Sequence, residues 1–219
     1  MKGLLIKDYK LMKNQKGYFI VLFLLCVVFA AREGGESFCV GFITYVCSLF
    51  CISTISYDEF DNGNAFLFTL PFTRAQYALE KYGFGLLTGI LAWAVGTLIA
   101  SVAWGLRNPQ TELLTQWLPQ CLMLLAADWV LLSLLIPFQL KFGAEKGRIV
   151  LLIVLGVLFA AIFAGGYVLQ LLNVKLGDSF DFVSALEKAG FTAAVLIIGA
   201  VAMVISALIS RGIVEKKEF

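Results

Sequence analysis

Histidine is absent from the 219 residues, and charged side chains make up only 15% of them. The first absence excludes His-ligated zinc sites, metalloproteases of the H-E-x-x-H type and histidine proton relays. There is no G-x-x-x-x-G-K-[ST] phosphate loop, so the chain does not hydrolyse ATP by that route, and no G-x-S-x-G nucleophile elbow. An intramembrane aspartyl protease needs two acids at membrane depth, whereas only Asp128, in A-A-D-W-V, lies deep in an apolar run. No enzymatic activity, no metal and no cofactor are therefore expected in this chain. Cysteine is scarce and odd in number: Cys26, Cys39, Cys47, Cys51 and Cys121 lie mostly inside apolar runs and form no C-x-x-C, which argues against a disulfide framework. Cys47 and Cys51 are one helical turn apart, a spacing open to a soft metal, but their apolar surroundings favour packing.

What is present in excess is hydrocarbon. Hydrophobic residues reach 60% and the mean hydropathy is +0.89, against about 45–50% apolar in soluble domains. The apolar runs are long and continuous rather than alternating as in an outer-membrane barrel, so the reading is an all-α, polytopic membrane protein in one domain, 1–219. Six spans are expected at 17–31, 38–56, 83–105, 118–140, 149–172 and 191–210. The first is short: fifteen residues at ~1.5 Å each reach ~23 Å of a core about 30 Å thick. Before it, residues 1–15 alternate Leu4, Leu5, Tyr9 and Met12 with Lys2, Lys7, Lys10 and Lys13, the pattern of an amphipathic helix in the membrane interface with lysines toward anionic headgroups. A charged n-region and Val28-Phe29-Ala30 mimic a signal peptide, but the patterned, long preceding region argues against cleavage. Gly85 and Gly89 form a small-x-x-x-small face, Trp104 and Trp117 are placed as interfacial anchors, and 179–188 reads as a short helix on the outer face.

Charge sets the orientation. Thirteen of the seventeen Lys and Arg fall on the side of both termini, and only Arg32, Arg107, Lys175 and Lys188 fall on the other. Both termini and residues 57–82 are accordingly expected in the cytoplasm.

Residues 56–82 form the main polar interruption, S-Y-D-E-F-D-N-G-N-A-F-L-F-T-L-P-F-T-R-A-Q-Y-A-L-E-K-Y. Asp58, Glu59 and Asp61 suit a helix N-terminus. Phe60, Phe66, Phe68 and Leu70 are too apolar for a solvated loop. Pro71 breaks what precedes it, and Thr73 with Gln76 makes a capping box opening a helix through Arg74, Tyr77 and Lys81. The stretch reads as a short amphipathic helix, a proline turn and a capped helix entering the membrane: a handle through which a partner delivers mechanical work. The plainer reading is a structured loop with no partner.

Glu59, Asn62-Gly63, Leu70-Pro71, Thr73-Arg74 and Lys81-Tyr82 together resemble the corresponding stretch in the permease subunit of an ABC-2 type ABC exporter. The chain has Asp61-Asn62 before Gly63 where Glu or Lys is frequent in that family. The resemblance implies a homodimer or pseudo-dimer of permeases with two copies of a separate ABC ATPase that holds ATP and Mg, in the bacterial plasma membrane. It implies that the cytoplasmic coupling helix between spans 2 and 3 docks on the ATPase through Glu59, Phe60, Asn62, Gly63, Phe66, Leu70, Pro71 and Arg74. The compact form is similar to exporters of small amphipathic or antimicrobial peptides, including phenol-soluble modulin exporters; no nucleic acid is involved. Asp128 is read as a polar contact on the substrate path or dimer seam, or as a hydrogen-bond partner of Ser133, Ser101 or Thr97. The alternatives in function are an ion-coupled secondary transporter or channel, and a non-transporting membrane immunity or scaffold protein.

Overall fold

The computed structural model describes residues 2–60, 63–107, 117–171 and 189–216, and among these the only regular structure is helical. Seven helices follow in order: α1 Lys2–Asn14, α2 Lys16–Ala30, α3 Glu36–Glu59, α4 Gly63–Leu67, α5 Arg74–Arg107, α6 Leu118–Leu171 and α7 Ala189–Lys216. Asn62, and the helix expected at 179–188, lie outside the described residues.

Among the described residues, four helices are long and apolar enough to cross a membrane: Glu36–Glu59, Arg74–Arg107, Leu118–Gly143 and Gly190–Lys216. A fifth crossing arises if α1 and α2, bent by 68° at Gln15, count as one broken span. The bend follows from composition. Four lysines keep α1 polar on one side, while α2 is apolar throughout its KGYFIVLFLLCVVFA sequence. Gln15 at the elbow donates through Nε2 to the Tyr57 hydroxyl at 2.6 Å. The stretch expected as the fifth span is helical through residue 171 and follows the preceding helix across a break at Gly143.

The expected basic loop at 141–148 contracts to one residue. Gly143, at φ 76°, kinks the path inside α6, at a positive φ that glycine alone enters at little cost. A Cβ there would lie 2.9 Å from Glu59 Oε2. Pro137, two turns earlier, cannot donate to the carbonyl of Ser133. The Ser206 hydroxyl of α7 takes up that freed carbonyl, so the proline becomes a helix–helix link.

Close approach elsewhere depends on absent side chains. Gly85 meets Cys51 and Leu132, Gly89 meets Ser48 and Asp128, and Gly96 meets Ile43 and Val40, bringing α5 against α3. Glycines at these seams replace side-chain bulk with backbone packing, the usual basis of helix association where lipid offers no hydrophobic drive. On the other side of α5, Tyr82 hydrogen-bonds Ser206 at 2.6 Å and Ser210 at 2.7 Å, tying it to α7.

At the far end, Arg107 closes α5 onto the turn between α2 and α3, bonding Glu36 and the carbonyls of Ala31 and Arg32. One expectation is corrected at this end. Cys26 and Cys39 form a disulfide, because the α2–α3 hairpin brings their Cα atoms to 4.9 Å; composition argued against pairing, but antiparallel helices joined by a five-residue turn impose it. Trp104 and Trp117, read as interfacial anchors, stack their rings at 5.9 Å, and Trp117 is buried and donates to Ser101.

Candidate coupling surface

The polar stretch is built in two layers. The inner layer attaches it. Leu67 is buried among Ile55, Tyr77, Leu140 and Val214, and Phe68 and Phe72 pack against the same cluster. Phe68 meets the Tyr77 ring edge-on at 5.5 Å, and the Arg74 guanidinium lies 5.7 Å above Phe68. Arg74 also donates to the Glu215 carbonyl of α7 at 3.2 Å. The outer layer is exposed: Phe60 at 72%, Phe66 at 73%, Leu70 at 42%, with Pro71 also exposed. Large apolar side chains held outward on a short, anchored element form a candidate interaction surface.

Local sequence accounts for the shape. The α3 helix ends at Glu59, and Phe60 turns extended at ψ 137°. At Gly63 an added Cβ would stand 2.7 Å from the Asp58 carbonyl oxygen, so glycine lets α4 fold back on the end of α3. The capping box is present: Gln76 N donates to Thr73 Oγ1 at 3.2 Å and Thr73 N to Gln76 Oε1 at 3.1 Å. The acids differ from expectation. Asp58 and Glu59 close a helix C-terminus rather than open an N-terminus, where the helix dipole disfavours them.

Cations offset that. Lys81, fully buried, places Nζ 2.5 Å from Asp8 Oδ2 and 2.8 Å from Asp58 Oδ2. It donates to Thr54 Oγ1 at 3.1 Å, and the Tyr77 hydroxyl donates to Asp58 at 3.2 Å. Lys7 bonds Asp58 and lies 3.2 Å from Asp8. Glu80 adds a third acid, 3.7 Å from Lys81. This cluster fastens α1, α3 and α5 together directly beneath the exposed aromatics. A lysine and two aspartates taken out of water are tolerable only with such mutual pairing.

The structure therefore brings Glu59, Phe60, Gly63, Phe66, Leu70, Pro71 and Arg74 into one region. It places Asp128 elsewhere. Asp128 is buried and accepts from Ser48 Oγ at 2.5 Å, with Oδ2 facing Gly89. Its expected partners are engaged otherwise or apart: Ser133 donates to Val130 O, Ser101 accepts from Trp117, and Thr97 Oγ1 has no hydrogen bond among the described residues. Sequence reasoning missed Asp8, although a signal existed: it falls four residues from both Leu4 and Met12, on the apolar stripe of α1. No group of acids and cysteines among the described residues is arranged to hold a metal.

Comparison with known proteins agrees with this architecture. The chain matches the family described as ABC-2 family transporter protein over residues 3–215. No curated protein and no solved structure matches it. A multi-pass helical membrane protein matched to that family along nearly its whole length is the permease component of an ABC transporter: the chain belongs to the ABC-2 family of transporter proteins.

Proposed function

We propose that this chain is the permease of an ATP-driven exporter of small amphipathic peptides, working as a homodimer with two ATPase subunits in the bacterial plasma membrane. ATP and Mg belong to the ATPase. Six spans, cytoplasmic termini and an interfacial α1 complete the reading, supported by the one-sided distribution of Lys and Arg. The observation that carries it is the exposed Phe60–Phe66–Leu70 surface mounted on a buried ion cluster. A surface meant to transmit work needs an apolar contact for the partner and a stiff connection to the spans. The cluster supplies the second by joining α1, α3 and α5. Closure of the ATPases would then move α3 and α5 as one body.

The peptide class is supported by a side groove of about 480 Å³ under the α1–α2 elbow. It is lined by Leu5, Phe19, Ile43, Phe84 and Leu91, with no charged residue. An apolar face of an amphipathic helix fits such a lining. Asp128, behind Ser48, would act as a polar contact near the path.

The experiment is affinity purification of the chain from its native membrane, with Phe66→Ala and Arg74→Ala in parallel. An ATPase subunit that co-elutes with the native chain and is lost from the Phe66→Ala chain is the expected result. Retention in both variants moves the contact elsewhere on the chain. Absence of any ATPase in several mild detergents defeats the proposal.

A further inference from the structure

A second groove runs between α6 and α7, on the face away from α3. Its deeper part, about 520 Å³, is lined by Leu134, Pro137, Phe138, Ile205 and Ile209. An adjoining part of about 510 Å³ shares Lys141, Ile209 and Ile213 with it and adds Lys216. The groove is thus apolar along its depth and carries two ammonium groups at its mouth. From Ser133 to Lys141 the helix rises about 12 Å, roughly the depth of hydrocarbon in one leaflet.

The polar groups at the deep end are spoken for. Ser133 Oγ donates to the Val130 carbonyl, and Ser206 donates to the carbonyl that Pro137 leaves free. An occupant therefore meets hydrocarbon there, not hydrogen-bonding groups. At the mouth the reverse holds. Lys141 and Lys216 are exposed and make no ion pair among the described residues; Lys141 Nζ rests 5.4 Å above the Phe142 ring. Ile205 and Ile209 are 53% and 55% exposed, so the groove is open sideways. The groove under the α1–α2 elbow differs in having no lysine in its lining.

We propose that the α6–α7 groove binds one anionic phospholipid, its phosphate on Lys141 and Lys216 and an acyl chain along Pro137, Ile205 and Ile209. The charge complementarity selects the headgroup, and the sealed serines select the tail. This site rests on the chain spanning a membrane and does not depend on what is exported.

The test uses the full-length chain in mild detergent with equimolar phosphatidylglycerol and phosphatidylcholine of identical acyl chains. Native mass spectrometry reads the lipid retained. The native chain retains one phosphatidylglycerol in preference by about thirtyfold, the factor expected from two lysines at a membrane surface. Lys141→Gln/Lys216→Gln abolishes the preference; both side chains are exposed, so the fold is preserved. Lys10→Gln/Lys13→Gln, on α1, leaves the preference intact. Ile209→Trp fills the groove and removes both lipids without lowering the unfolding temperature. Soluble glycerol phosphate at millimolar concentration does not displace the lipid. Equal retention of the two lipids by the native chain, undiminished preference in the Lys141/Lys216 variant, or displacement by glycerol phosphate overturns the proposal. So does an Ile209→Trp chain that loses a dimer yet keeps its lipid, which would make the groove a seam between two copies.

Discussion

Lys81 Nζ lies 2.5 Å from Asp8 Oδ2, and both side chains are wholly buried. Residues seventy-three positions apart in sequence thus share one ion pair at the base of the proposed coupling surface. Asp58, Thr54 and Lys7 complete the shell, and the net result is that α1 cannot leave α3 and α5 without exposing or stranding a charge.

Lys81→Met is accordingly expected to destabilise the chain by about 3–5 kcal/mol, since it leaves Asp8 and Asp58 buried with only the partly exposed Lys7 to pair them. Asp8→Asn should cost less, because Asp58 still pairs with Lys81. The double variant should recover part of the loss, giving a coupling energy of roughly 1–3 kcal/mol in a double-mutant cycle. Denaturant unfolding in detergent micelles measures all four corners. Additive losses would mean that Asp8 and Lys81 are held apart in the membrane-bound chain.

The capping box at the start of α5 gives a local prediction. Thr73→Ala removes the acceptor for Gln76 N and should cost about 1 kcal/mol. Gln76→Ala removes the return bond to Thr73 N. Because the two bonds close one ring, the losses should be less than additive. Hydrogen exchange should accelerate at the first-turn amides of α5, and stay unchanged deeper in that helix. A uniform acceleration along α5 would contradict a local cap.

How much of this was readable beforehand differs by feature, for physical reasons. The capping box is a local exchange between two side chains and two amides, so sequence spacing alone located it. The glycine seam was visible at Gly85 and Gly89, because small residues at i and i+4 always share a helix face. Asp58 was misread: its acidity suited a helix start, and only the partner helices supply the lysines that let it end one. The kink at Gly143 was hidden because a positive-φ residue leaves the hydropathy pattern around it unchanged. Ser48 as the partner of Asp128 required knowing that α3, rather than the serine-bearing turns nearby in sequence, packs beside it.

Cys26 and Cys39 yield a prediction with an integer outcome. After denaturation without reductant, a maleimide should label Cys47, Cys51 and Cys121 and leave the other two unmodified. Reduction first should release all five cysteines of the chain. The bond closes a segment of thirteen residues, so Cys26→Ser/Cys39→Ser should cost roughly 3 kcal/mol on the loop-entropy account. Five adducts without reductant would show that the pair is a close contact of free thiols.

Asp128 and Gly89 make the last prediction, and here the two residues should respond in opposite directions. A carboxylate at the centre of a span costs about 2.5–3.5 kcal/mol to insert, and in this chain it receives one hydrogen bond, from Ser48. Asp128→Asn keeps an oxygen for that bond and removes the ionisable group. It should leave stability unchanged within about 1 kcal/mol, or raise it. Gly89→Ala pushes a methyl group to within 2.8 Å of Asp128 Oδ2 and 3.3 Å of Ser48 Cβ. It should cost about 1–3 kcal/mol, the range of overpacked cores. In an Asp128→Ala background the obstructing oxygen is gone, and Gly89→Ala should then cost much less. Thermal unfolding of the native chain and these four variants in one detergent decides it. If Asp128→Asn alone lowers stability by several kcal/mol, the acid is paired more strongly than its single bond to Ser48 implies, and a role confined to packing α6 against α3 would be untenable.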